Sequence, residues 1–137
     1  MSNSLFEKAI EHFYEICKIP HGSGDMEKIS DFCVDFAKKN RLKYVKDDAC
    51  NVIIYKNAST GYEAFEPIIL QGHLDMVCQK ESDLDFDFLT DDIKVLNSGD
   101  FLTADGTTLG ADNGIAVAII MAILESETLP HPAIEAV

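Results

Sequence analysis

Three side chains in this sequence have the type and spacing to bind and polarise: His73, Asp75 and Asp112. The first two close the run Pro67-Ile-Ile-Leu-Gln-Gly-His-Leu-Asp75, where a short apolar stretch delivers an imidazole and a carboxylate into a loop. Asp112 sits in Gly106-Thr-Thr-Leu-Gly-Ala-Asp-Asn-Gly114, between small residues at the start of an apolar helix. Imidazole and carboxylate ligands on rigid element ends, with glycines that let backbone and substrate approach, are the parts of a hydrolytic metal site.

Each residue alone has a plainer explanation. A lone histidine is more often structural than a ligand, and an H-x-D triplet arises often by chance. Aspartate ahead of an apolar helix is an ordinary N-cap. Context changes the balance. His73 follows Leu70 at the carboxyl end of an expected strand, where ligands gather in α/β sheets. Asp75, two residues on in an extended segment, points to the same side and can orient the imidazole through its other ring nitrogen. Gly106, Gly110 and Gly114 surround Asp112, and helix capping alone does not call for three glycines. A carboxylate there could bridge two cations, one of them held by His73.

Other candidate motifs fall away. Asp83-Leu-Asp-Phe-Asp87 fits the first three ligand positions of a calcium loop, but Phe88 replaces the required glycine and Lys94 the bidentate glutamate. A solvated loop anchored by Phe86 and Phe88 is expected instead. His12, His21 and His131 are expected at the surface or in packing. His21-Gly-Ser-Gly24 resembles a serine site superficially, yet it follows a helix rather than a strand. No G-x-S-x-G elbow, Walker loop or dinucleotide fingerprint is present.

The elements that must position these residues can be read from periodicity. Ser4-Leu-Phe-Glu7 is a capping box, after which Phe6, Ala9, Ile10, Phe13, Ile16 and Cys17 share one helical face. Pro20 ends that helix. A second helix is expected over 25–39, with Ile29, Phe32, Cys33 and Phe36 buried and Lys38 and Lys39 suiting its negative end. Strands over 42–46 and Val52–Lys56 flank a polar turn and predict a hairpin. Ile68–Leu70 is continuous and β-branched, which predicts a strand buried on both faces. A later hairpin pairs 93–96 with 101–104. Residues 115–124 are apolar nearly all round and predict a helix deep against a sheet. Residues 133–137 open another strand. The pattern is α/β: a mixed, largely parallel sheet flanked by helices.

At 137 residues and 47 % hydrophobic content the chain is about one domain with enough apolar material for a core. No apolar run is long enough to span a membrane. The formal charge of −13 argues against nucleic acid and against anionic membrane surfaces. Solubility accounts for most of this acidity, and a minority of the carboxylates is left to serve cations. The four cysteines lie far apart without a C-x-x-C pair, which predicts reduced, mostly buried thiols and no zinc finger. Cys78, near the His73 loop, is expected to pack. The stretch Met1 to Lys8 lacks the shape of a secretory signal, so a cytoplasmic protein is expected.

Together, Leu70-Gln-Gly-His-Leu-Asp-Met-Val77 and Gly106-Thr-Thr-Leu-Gly-Ala-Asp-Asn-Gly-Ile115 resemble the co-catalytic zinc peptidases of the M20 family. The wording is similar to the aminoacyl-histidine dipeptidase branch (Xaa-His or cytosol non-specific dipeptidases), and Ile19-Pro-His-Gly-Ser-Gly24 extends the likeness towards the N-terminus. The resemblance implies that His73 binds one metal, that Asp112 bridges two, and that Asp75 is the catalytic aspartate beside the histidine. It further implies a cis peptide between Asp112 and Asn113, a zinc-peptidase-like layered fold and a dipeptide substrate. Two zinc ions are implied for the complete enzyme, with manganese or cobalt also suited to such ligands.

On the same resemblance, residues 1–137 form the N-terminal part of the catalytic domain, incomplete at the C-terminus. A Glu-Glu pair carrying the general base is expected soon after Val137, and Glu135 is no substitute for it. The remaining ligands and a lid or dimerisation domain are expected later, which leaves room for a homodimer. These residues alone are expected to be inactive. An N-acyl amino acid amidohydrolase of the same fold, or a non-catalytic binding or assembly domain retaining the scaffold, are the rival readings.

Overall fold

The computed structural model describes residues 4–137. The first three, and with them part of the Met1 to Lys8 stretch, lie outside the described residues. Helix α1 spans Leu5–Cys17. Its capping box forms: the Glu7 N–H donates to Ser4 Oγ at 3.2 Å and the Ser4 N–H donates to the Glu7 carboxylate at 2.7 Å. Ala9, Phe13, Ile16 and Cys17 are buried. Phe6, expected on that face, is 73 % exposed. The first turn stands clear of the core, so the buried stripe begins one turn later.

Helix α2 spans Glu27–Lys39 and starts two residues later than periodicity predicted. The reason is local: the Asp25 N–H closes a turn onto the Gly22 carbonyl at 2.8 Å, which commits Asp25 to the preceding loop. Strand β1, Lys43–Lys46, and strand β2, Val52–Lys56, form the expected antiparallel hairpin. Strand β3 is Ile68–Leu70 and the last strand, β6, is Ile134–Ala136. The sheet order is β1-β2-β6-β3, antiparallel from β1 through β6 and parallel between β6 and β3. The mixed sheet is therefore present, but it is mostly antiparallel rather than largely parallel, since among the described residues only the β3–β6 pair runs parallel. A parallel pair needs a long crossover, and here it contains a separate hairpin of β4, Val95–Asn97, and β5, Leu102–Ala104, followed by helix α3, Ala111–Glu125.

One expectation fails at β3. Ile68 is 40 % and Ile69 68 % exposed. The strand lies at the sheet edge with β6 as its one strand neighbour among the described residues. A β-branched run predicts burial on both faces only where layers cover both. The acidic loop behaves as predicted: Phe86 and Phe88 meet edge to face at 4.8 Å and pack against the core.

Helix α3 spans Ala111–Glu125, with non-helical backbone at Asp112 and Asn113 and a cis peptide between them. It is buried as expected at Val117, Ala118, Met121, Ala122 and Leu124, although Ile119 is exposed. Its most extensive packing is on α1 rather than on the sheet. Gly114 permits this, because a Cβ there would lie 3.2 Å from the Phe13 ring. Between α3 and the sheet lies a cavity of about 260 Å³, lined by Val52, Ile54, Val117, Met121 and Ala136 among others. Lys56 Nζ donates to the carbonyls of Ile123 at 3.0 Å and Ser126 at 2.6 Å, closing the helix's C-terminal end. Among the described residues no helix is long and apolar enough to cross a membrane.

All four cysteines are free, with Cys17 and Cys33 buried and Cys50 and Cys78 half-buried. Burial pushes the Cys33 thiol up to about 12 and that of Cys17 to about 11. Because the thiolate is the nucleophile, neutral-pH alkylation of the native chain is expected to modify Cys50 and Cys78 and to spare Cys17 and Cys33. Peptide mass spectrometry reads this directly. Modification of Cys33 as fast as Cys50 would mean that the α2–sheet interface is open.

Candidate functional site

The site grows from the carboxyl end of β3. Beyond the strand, the Gly72 N–H donates to the Val137 carbonyl at 3.0 Å and the Val137 N–H to the Leu70 carbonyl at 2.8 Å, so the parallel pairing continues. Gly72 must be glycine because the strand end runs against the start of α3. A Cβ there would meet Asn113 Oδ1 at 2.8 Å and a Val117 methyl at 3.3 Å. The His73 N–H donates to that same Asn113 oxygen at 3.2 Å. Backbone and side chain thus lock the β3 loop onto the helix that carries Asp112.

A second loop supports the first from the other side. Gly22 and Met76 form a parallel bridge, with the Met76 N–H donating to the His21 carbonyl at 3.0 Å and the Ser23 N–H to the Met76 carbonyl at 3.2 Å. Gly110, with φ of 76°, turns the chain into α3.

These elements bring His73, Asp75 and Asp112 together. His73 Nε2 is 3.1 Å from Asp112 Oδ1, and His73 Nδ1 is 3.1 Å from Asp75 Oδ1. Asp75 Oδ2 accepts from Ser23 Oγ at 2.5 Å. The His73 side chain is half-exposed, and that of Asp112 is 94 % exposed, open to whatever approaches the helix start. Desolvation works against the charged imidazole, but the hydrogen bonds to Asp112 and Asp75 outweigh it and raise the His73 pKa above its ordinary value. The Ser23 hydroxyl, and after it His73, hold the Asp75 carboxyl below the usual range against partial desolvation.

An imidazole flanked by a carboxylate at each nitrogen can donate to both only as the cation. A metal dication at Nε2 would take the place of one of those protons while Asp75 keeps the other. One nitrogen and one carboxylate oxygen 3.1 Å apart are a compatible donor pair for zinc, whose bonds to such atoms are about 2.0–2.2 Å. They are part of a ligand set, since no group of three or more His, Cys, Asp or Glu side chains able to hold a metal ion is found among the described residues.

The other histidines do not join. His21 is buried, its Nδ1 against the Ile19 carbonyl at 2.5 Å, and burial lowers its pKa. His12 packs edge-on to Phe36 with Nε2 3.0 Å from Glu125 Oε1, and His131 Nδ1 lies 2.7 Å from the Pro132 carbonyl. Glu135 is exposed on β6, in register between Tyr55 and Ile69. Two residues escaped the sequence reading. Asn113 figures in the sequence only as the partner of Asp112 in an expected cis peptide and Ser23 only in a serine motif set aside, although both stand in the glycine-bounded segments that carried the resemblance.

No protein-family model matches the chain. Over 123 residues it is 42 % identical to the cytosol non-specific dipeptidase of Escherichia coli strain K12, a match covering 90 % of this chain and 25 % of the relative. The solved aminoacylhistidine dipeptidase from Vibrio alginolyticus superposes with a TM-score of 0.92 at 40 % identity, covering 95 % of this chain and 26 % of that one. A tripeptidase from Staphylococcus aureus shares the fold at a TM-score of 0.74 and 19 % identity, covering 95 % of this chain and 35 % of that one. The fold is thus of mixed α/β type, shared over part of the length of these solved peptidases. More particularly, the chain is similar in both sequence and fold to the aminoacylhistidine and cytosol non-specific dipeptidases. It spans about a quarter of their length.

Proposed function

We propose that the chain is the N-terminal part of the catalytic domain of a metal-dependent dipeptidase of the M20 type. The complete protein would hydrolyse Xaa-His and other dipeptides in the cytoplasm, with a lid or dimerisation domain supporting a homodimer. The observation that carries this reading is the approach of His73 Nε2 to Asp112 Oδ1, at 3.1 Å, with Asp75 behind the ring. His73 and Asp112 would hold metal, zinc by preference for these donors. Bound dications would supply Lewis-acid polarisation of the scissile carbonyl and a water of lowered pKa. Asp75 would keep the proton on Nδ1, which leaves the Nε2 lone pair free for metal beside Asp112. Asn113 fixes the backbone from which His73 projects. The remaining ligands and the glutamate that moves the water's proton would come from a later segment.

A substrate panel on the full-length protein tests this. Dipeptides, Xaa-His among them, are expected to be cleaved, with activity lost on chelation and restored by zinc. N-acyl amino acids are expected to be poor substrates, and purified 1–137 is expected to be silent. Preference for N-acyl amino acids would replace the dipeptidase reading with an amidohydrolase. Steady hydrolysis by 1–137 alone would refute the division of the site.

A further inference from the structure

Ser23, Asp75, His73 and Asp112 form a continuous line of polar contacts from the loop before α2 to the start of α3. The carboxylate of Asp75 has its two oxygens on different partners: Oδ2 on the Ser23 hydroxyl at 2.5 Å, Oδ1 on His73 Nδ1 at 3.1 Å. The terminal torsion of an aspartate is broad. With one oxygen pinned, the other is aimed.

The Ser23 loop is held by contacts that do not need the hydroxyl. Its N–H reaches the Met76 carbonyl at 3.2 Å, Met76 returns a hydrogen bond to His21 at 3.0 Å, and Asp25 closes the turn onto Gly22 at 2.8 Å. Gly22 has to lack a Cβ, which would fall 2.6 Å from Cys78 Sγ. The loop therefore runs in parallel register with the very segment that carries Asp75. Removing the hydroxyl subtracts the aim of the carboxylate and a 3.4 Å contact of Oγ to the Met76 carbonyl, and the backbone hydrogen bonds keep the scaffold. Nor is this serine an activated nucleophile, because its proton goes to a carboxylate rather than to an imidazole base.

We infer that Ser23 is a positioning residue, setting the orientation and tautomer of the His73 ring through Asp75. The role in turnover rests on the dipeptidase reading above; the control of the ring does not. Acceptors at both nitrogens compete for the proton of a neutral His73: the Asp75 carboxylate and the Asp75 backbone carbonyl, each 3.1 Å from Nδ1, and Asp112 at Nε2. The Ser23 hydroxyl favours Asp75 by holding it in place.

The test compares Ser23→Ala with Ser23→Thr, which restores a hydroxyl. In the 137-residue chain, in metal-free alkaline buffer where the imidazole is neutral, nitrogen-15 NMR of the His73 ring gives the tautomer ratio. Ser23→Ala is expected to shift that ratio about 5-fold towards the Nε2-protonated form, and Ser23→Thr to return it. In the full-length protein Ser23→Ala is expected to lower kcat about 10-fold with KM within about 2-fold, again rescued by threonine. An unchanged ratio in Ser23→Ala, or threonine behaving as alanine, overturns the inference. Failure of the dipeptidase reading registers elsewhere, as a His73→Ala variant that keeps full metal content and normal turnover, while the tautomer shift would still stand.

Discussion

Alanine at position 73 in the full-length protein is expected to remove one bound metal and to lower dipeptide turnover by well over about 100-fold. The scale follows from comparison. Losing a partner behind a metal-bound histidine costs about 10–100-fold in metal affinity or activity, and His73 offers the only ring nitrogen among the described residues that faces Asp112. Asp75→Asn supplies the intermediate point of the series, because the amide retains the shape but presents a weaker acceptor to Nδ1. It is expected to fall in that 10–100-fold range and to retain both metals at saturating concentration.

The pH dependence has a definite sign. Against desolvation, the hydrogen bonds to Asp112 and to the backbone and carboxylate of Asp75 raise the His73 pKa, and a proton on Nε2 competes with metal for the same lone pair. Metal affinity is therefore expected to fall as pH drops through the raised value, and His73→Ala to lose that dependence. Metal analysis after gel filtration, alongside kcat, decides the matter. Full metal content with normal turnover in His73→Ala would end the assignment.

Sequence reasoning reached the site because two local rules coincide there. Alternation in an extended segment puts His73 and Asp75 on one side, and three glycines around Asp112 signal a backbone approach that capping does not need. Both are short-range properties. What lay beyond reach is long-range. Ser23 and Asp75 are 52 residues apart, and no period links them. The run Ile68–Leu70 carries the composition of a central strand, yet its burial depends on which neighbours cover it. Phe6 fits the apolar stripe of α1 by spacing alone, but where the stripe begins depends on how far the core reaches.

That last distinction can be measured. Phe13 is 2 % exposed and Phe6 73 %, although both lie on the face that periodicity marks as apolar. Phe13→Ala removes a ring that fills the α1–α3 interface beside Gly114, where α3 cannot relax inward without moving its own first turn. Such truncations cost about 3–5 kcal/mol, a large share of the roughly 5–15 kcal/mol that holds a domain folded. Phe6→Ala, in the exposed first turn, is expected to stay within about 0.5 kcal/mol. Urea unfolding of the two variants would show the contrast as a large and a negligible fall in midpoint. The consequence extends to the chemistry. Gly114 follows directly on Asp112 and Asn113, so the ring that seats α3 also sets where the Asp112 carboxylate points. Phe13→Ala molecules that remain folded are expected to lose the His73–Asp112 contact, seen as loss of the Asp112 effect on the His73 ring resonances. Equal midpoints for the two variants would mean that the α1–α3 contact does not hold the site in place.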